Sequence, residues 1–130
     1  MVVGSFELVV RSEFRAAHQL RLPGGSVEPA HEHAWRVEVF LESSILDEVG
    51  LVADFTVLRR RIAEATRPLA NARLNELPAF AACNPSTEMI AKHLCELIAP
   101  LVPVGVALTK VRVWETDDCA AAYLPPADAR

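Results

Sequence analysis

The sequence is poor in cysteine, in aromatic residues and in any run of basic or apolar side chains, and each shortage removes a class of function. Its three cysteines, Cys83, Cys95 and Cys119, are odd in number and contain no CxxC pair. A disulfide framework or a cysteine-rich zinc module is therefore not expected, and reduced thiols in a cytoplasmic protein are. The net charge is −4 and no basic-aromatic stripe occurs, which excludes nucleic acid as an expected partner. No apolar run approaches the roughly 20 residues of a membrane span. The opening MVVGSFELVV is too short and too interrupted for a signal peptide, so no membrane partner is expected either. Repeats, low-complexity stretches and an internal linker are also missing.

What remains is ordinary globular composition over 130 residues, enough for one domain with a real core. The reading is a single domain over residues 1–124 and a short C-terminal tail over 125–130. Phe6 to Leu20 and His31 to Leu41 alternate as two antiparallel strands, joined by a loop from Arg21 to Pro29 that contains Pro23-Gly24-Gly25. Asp54 caps a first helix with an apolar stripe of Phe55, Leu58, Ile62, Ala65 and Leu69, fraying at Pro68. Asn71 to Cys83 is loop. A second helix opens at Asn84-Pro85-Ser86-Thr87-Glu88 with Asn84 or Ser86 as its cap, carries Ile90, Leu94, Leu97 and Leu101 inward, and ends between Pro100 and Pro103. Ala107 to Thr116 and Cys119 to Leu124 supply two further strands. The expected fold class is α+β with a four-stranded antiparallel sheet.

The chemistry-bearing residues are histidines. His31 and His33 are two apart, which on a strand puts both rings on one face, and His18 near the end of the preceding strand can join them. Three imidazoles leave a tetrahedral zinc ion one open position, the arrangement of a catalytic or ligand-binding site. On spacing alone a solvated pair plus an unrelated third histidine explains the pattern equally well. His93 lies in step with Met89 and Leu97 and reads as a helix-packing residue.

Six segments, taken in order, carry a resemblance to a known family. They are Phe14-Arg15-Ala16-Ala17-His18, His31-x-His33, Gly50 to Phe55 with Leu58, Arg73-Leu74-Asn75-Glu76, Asn84 to Glu88, and Glu115-Thr116. Together they resemble the 6-pyruvoyl-tetrahydropterin synthase and 6-carboxytetrahydropterin synthase family. The resemblance implies a tunnelling fold, with two helices on one face of the sheet and copies that close into a barrel as trimers or dimers of trimers. It implies zinc on His18, His31 and His33, and a pterin-like small molecule as ligand. The ring would be held by Glu115, whose carboxylate suits paired N–H donors, and by Ser86, Thr87 and Glu88. Glu88 also has a plain explanation as a helix-dipole residue.

Four positions depart from the family pattern. The catalytic cysteine is replaced by Val27, the Asp-His pair by Ala70 and Asn71, and the glycine between the metal histidines by Glu32. A positioned proton-transfer group contributes a factor of about 100 to 10,000, so the synthase reaction is not expected unless a substitute exists. Glu28, one residue beyond Val27, is the candidate substitute base, and Cys119 either lines the pocket or fills core. The expected function is a zinc-dependent lyase or synthase with altered chemistry, such as aldolase-like cleavage or isomerisation. A catalytically silent zinc- and pterin-binding homologue is the rival, and a cupin-like metalloprotein with an inward-facing HxH is a weaker one.

Overall fold

The computed structural model describes residues 2–127. Its order is β1 (Phe6–His18), β2 (His31–Ser43), α1 (Phe55–Thr66), β3 (Ala72–Arg73), α2 (Thr87–Ile98), β4 (Ala107–Thr116) and β5 (Cys119–Tyr123). The strands form one sheet in the order β3-β1-β2-β4-β5. All neighbouring pairs are antiparallel except β1 with β3, which is parallel. The α+β reading holds with one addition. Two residues of the expected loop, Ala72 and Arg73, add a fifth strand beside Ala16 and Ala17. A two-residue strand carries no alternation and is invisible to periodicity.

Alternation decides which side of the sheet is dry. Val10, Phe14, Ala16 and His18 of β1, Trp35, Val37, Val39 and Leu41 of β2, and Val111 and Val113 of β4 are all buried. They pack with Leu58 and Ile62 of α1 and with Ile90, Ala91, Leu94, Cys95 and Ile98 of α2. The indole of Trp35, fully buried, donates to the Ala16 carbonyl at 3.1 Å, so its one polar group is satisfied. Both helices start at the expected caps. Asp54 accepts from the Thr56 N–H at 2.8 Å and Ser86 from the Met89 N–H at 3.2 Å, each such cap being worth about 1 kcal/mol.

The helix stripes are rotated slightly from expectation. Phe55 is half exposed, and α1 buries Leu58, Ile62 and Thr66. In α2 the seam runs through Ala91, Cys95 and Ile98, while Leu97 and Leu101 are only partly covered. Each 12-residue helix crosses a twisted sheet, so contact shifts from one helix face to its neighbour along the length. The segment between the helices is better packed than a loop. Two short 3-10 turns, Leu74–Glu76 and Pro78–Phe80, bury Leu74 and Phe80. Of the expected tail, Pro125 is buried, and residues 128–130 lie outside those described. Among the described residues, no helix is long and apolar enough to cross a membrane.

Candidate metal and ligand site

The β1–β2 register builds the site. His18 lies opposite His31 and Ala16 opposite His33, and paired residues on neighbouring antiparallel strands point to the same face. The three rings converge beyond Trp35, with centroids 4.5 Å apart for His18 and His31, 4.6 Å for His31 and His33, and 5.4 Å for His18 and His33. Glu115 joins them from β4. One ligand atom from each of the four residues lies within 4.8 Å of every other.

Backbone carbonyls orient two of the rings. Nδ1 of His18 is 2.7 Å from the Pro85 carbonyl and Nδ1 of His31 is 3.2 Å from the Pro29 carbonyl. A carbonyl oxygen only accepts, so both Nδ1 atoms carry a proton, and the tautomer this selects presents a bare Nε2 on each ring. Nε2 of His18 and Nε2 of His33 are buried and make no hydrogen bond. Burial is the main influence on His33 and holds its pKa below the ordinary 6.5, with His31 and His18 adding to it and Glu115 and Glu28 opposing. A neutral imidazole is the form that binds a metal. Buried bare nitrogens aimed at one point beside a carboxylate fit a divalent ion of the zinc type.

The chain leaving β1 is fixed by two side-chain amides. Asn75 accepts from the Gln19 N–H at 3.0 Å and donates to the Gln19 carbonyl at 2.8 Å. Asn84 does the same for Arg21, at 2.8 and 3.0 Å. Each amide imitates a strand neighbour and holds His18 at a fixed strand end. The sequence contains both asparagines inside recognisable segments but gives no hint of this clamping. Beside the triad is a cleft of about 350 Å³ bordered by His18, His31, Gln19, Arg73 and Asn75. A larger hollow of about 710 Å³ lies on the opposite sheet face among Arg11, Arg36, Glu38, Arg112 and Trp114, away from the histidines.

The remaining candidates fall at different distances from this centre. Glu28 accepts from the Leu20 N–H at 3.0 Å, and the same oxygen is 4.0 Å from Nδ1 of His31. Ser86 caps α2 directly after the carbonyl that holds His18, Thr87 is half-buried and Glu88 is exposed in the first turn. Glu32 faces away from the triad and pairs with Arg15 at 2.6 Å. Val27 is exposed, and Ala70 offers no proton-transfer group. Asn71 shapes the backbone instead. With φ of 60° its N–H donates to the Arg15 carbonyl at 2.6 Å, in a left-handed conformation that asparagine tolerates. His93 packs its ring on Phe80 with centroids 5.3 Å apart, and burial lowers its pKa. Cys119 is exposed and Cys95, not Cys119, fills core.

The family model for 6-pyruvoyl tetrahydropterin synthase matches residues 7–126. The chain belongs to that family. A dihydroneopterin monophosphate aldolase from Pyrococcus furiosus is 30% identical over 111 residues, covering 85% of this chain and 90% of the relative. The human 6-pyruvoyl tetrahydrobiopterin synthase is 31% identical over 127 residues, covering 87% of each. The fold matches the solved 6-pyruvoyl tetrahydropterin synthase of Caenorhabditis elegans with a TM-score of 0.80 at 20% identity, over 95% of this chain and 98% of that one. One sheet with two helices on a face is thus the family's fold, and the cupin-like alternative falls away.

Proposed function

We propose that this protein is a zinc enzyme acting on a reduced pterin or a similar bicyclic heterocycle, with cleavage of a side-chain carbon–carbon bond as its reaction. The observation that carries the reading is the pair of buried, bare Nε2 atoms of His18 and His33 converging beside His31 and Glu115. When bound, zinc supplies a Lewis acid that polarises a side-chain hydroxyl or carbonyl of the substrate. The chain supplies the rest. His18, His31 and His33 hold the ion, and Glu115 with Ser86, Thr87 and Glu88 at the start of α2 receives the ring. Glu28 is the base: it is fixed by the Leu20 N–H and stands next to the triad.

Cleavage is favoured over the synthase reaction by the composition of the site. Val27, Ala70 and Asn71 leave no cysteine and no Asp-His pair for the synthase's proton transfers, and a relative of comparable identity is named an aldolase. A retro-aldol step asks for one base to take a hydroxyl proton, after which the ring-conjugated carbon is reprotonated. The exposed apolar side chains Phe6, Val9, Ile45, Val49 and Phe55 support assembly with further copies, as a trimer or a dimer of trimers. Free thiols support a reducing compartment such as the cytoplasm.

The test is to load the protein with zinc, add dihydroneopterin with or without its phosphate, and separate the products by chromatography. A ring product shortened by the lost side-chain fragment supports the aldolase reading. Tight binding with unchanged ligand identifies a silent binding protein, and no binding removes the pterin reading.

A further inference from the structure

The geometry points to Glu115 as an internal fourth ligand that fills the metal's open position until a ligand arrives. The inference rests on the metal-binding reading above and gives the carboxylate a resting position besides ring recognition. Glu115 Oε1 lies 3.0 Å from Nε2 of His18 and 3.6 Å from Nε2 of His33. These are hydrogen-bonding distances at the shorter end, yet neither nitrogen makes a hydrogen bond. The Pro85 carbonyl takes the Nδ1 proton of His18, so in the neutral ring Nε2 and the carboxylate are two acceptors face to face. Groups packed this closely, with the His18 side chain only 1% exposed, are reconciled by a positive charge between them, and a metal ion supplies it for all three rings at once.

The spacing suits such a cation. Around a tetrahedral zinc with bonds of about 2.0 Å, neighbouring ligand atoms are about 3.3 Å apart, and the two separations bracket that value. The backbone explains how a residue at the end of β4 reaches inward. Trp114 pairs with Ala120 and Thr116 with Cys119, and a register shift leaves Glu115 unpaired between them. Alternation along β4 sets Glu115 on the face of Val111 and Val113, which is the histidine face, while Trp114 points to the other.

Four protein ligands complete a tetrahedral site. A ligand oxygen then reaches the metal only when the Glu115 carboxylate swings off or the coordination expands. A bicyclic ring offering paired N–H donors draws the carboxylate away and frees the position, so ring recognition and metal opening become one event. A ligand without the ring leaves the site closed.

Cobalt(II) in place of zinc gives a visible spectrum that reports the coordination directly. The experiment compares the unaltered protein with Glu115→Ala and Glu115→Gln, adding thiocyanate as a small competing ligand and measuring cobalt affinity against a chelator. The expected result is a four-coordinate spectrum in the unaltered protein that thiocyanate leaves unchanged, and a thiocyanate-dependent shift in both variants. Affinity should fall by at least the roughly 10-fold that loss of an outer-shell partner costs. Thermal melts of the metal-free proteins check that the variants fold. A thiocyanate shift of equal size in the unaltered protein overturns the inference and leaves metal binding intact. Unchanged spectra and affinities in the variants overturn it as well. Absence of cobalt binding in the unaltered protein removes the metal reading itself.

Discussion

Neighbouring residues on β4 serve two polar clusters on opposite faces of the sheet, and the clusters differ in one respect. On the helix-free face, Glu38 is 7% exposed and surrounded by donors. The Trp114 indole donates to it at 2.7 Å, Arg112 lies at 3.5 Å and Arg11 at 3.3 Å. On the helix-covered face, Glu115 confronts bare nitrogens. Burial alone raises a carboxyl pKa. For Glu38 the Trp114 hydrogen bond and the Arg11 and Arg112 guanidiniums outweigh that effect and hold it below the usual value of 4.5. The first cluster is complete within the chain. In the second the carboxylate meets ring nitrogens and, among the described residues, no guanidinium or indole, the donor set that the proposed metal ion would complete. Buried polarity alone therefore does not mark a site; the balance of donors and acceptors does.

The largest contrast should come from His18→Ala. Metal affinity should drop by more than the roughly 10- to 100-fold typical of outer-shell losses, measured by chelator competition, while Glu38→Ala leaves it unchanged. Glu28→Gln sharpens the comparison inside the site. If Glu28 is the base, turnover falls by about 100-fold or more at unchanged metal affinity. If it only steadies His31, metal affinity falls about 10-fold and turnover falls in proportion to occupancy.

Glu38→Ala should instead cost about 1–3 kcal/mol of stability in urea unfolding, because the Trp114 N–H loses its acceptor and two guanidiniums lose their counter-charge. The same variant separates the clusters by pH. A carboxyl held below 4.5 in the folded protein stabilises fully above that pH, and its contribution disappears as pH falls through the lowered folded value. Acid unfolding should therefore lose part of its dependence below about pH 4.5 in Glu38→Ala. The smallest effect belongs to Asp54→Ala, far from both clusters. It should remove about 1 kcal/mol through the lost cap of α1 and alter neither metal affinity nor the acid dependence.

Much of this was legible in the residues. Alternation in Phe6–Leu20 and His31–Leu41 placed the two long strands, and capping chemistry located Asp54 and narrowed the second cap to Asn84 or Ser86. The HxH spacing with a preceding strand-end histidine left the triad as one of two even readings, and the family resemblance chose it. Less legible were Ala72 and Arg73, too short for any period, and the rotation that exposes Phe55 and turns Cys95 inward. The amide clamps of Asn75 and Asn84 were out of reach because each joins positions 56 or 63 residues apart.

Local periodicity and residue chemistry were thus enough to set the long strands, the two helices and the face on which His31 and His33 stand, while the family resemblance carried the loss of the synthase's proton-transfer groups at Val27, Ala70 and Asn71. Folding of distant segments onto one another was needed to bring Glu115 against the triad and to set the Pro85 carbonyl on His18, whereas Pro29 and Glu28 meet His31 from within its own stretch of chain. A strand's period fixes which way a side chain points, but the neighbouring strand and a carbonyl from a distant loop fix what it meets.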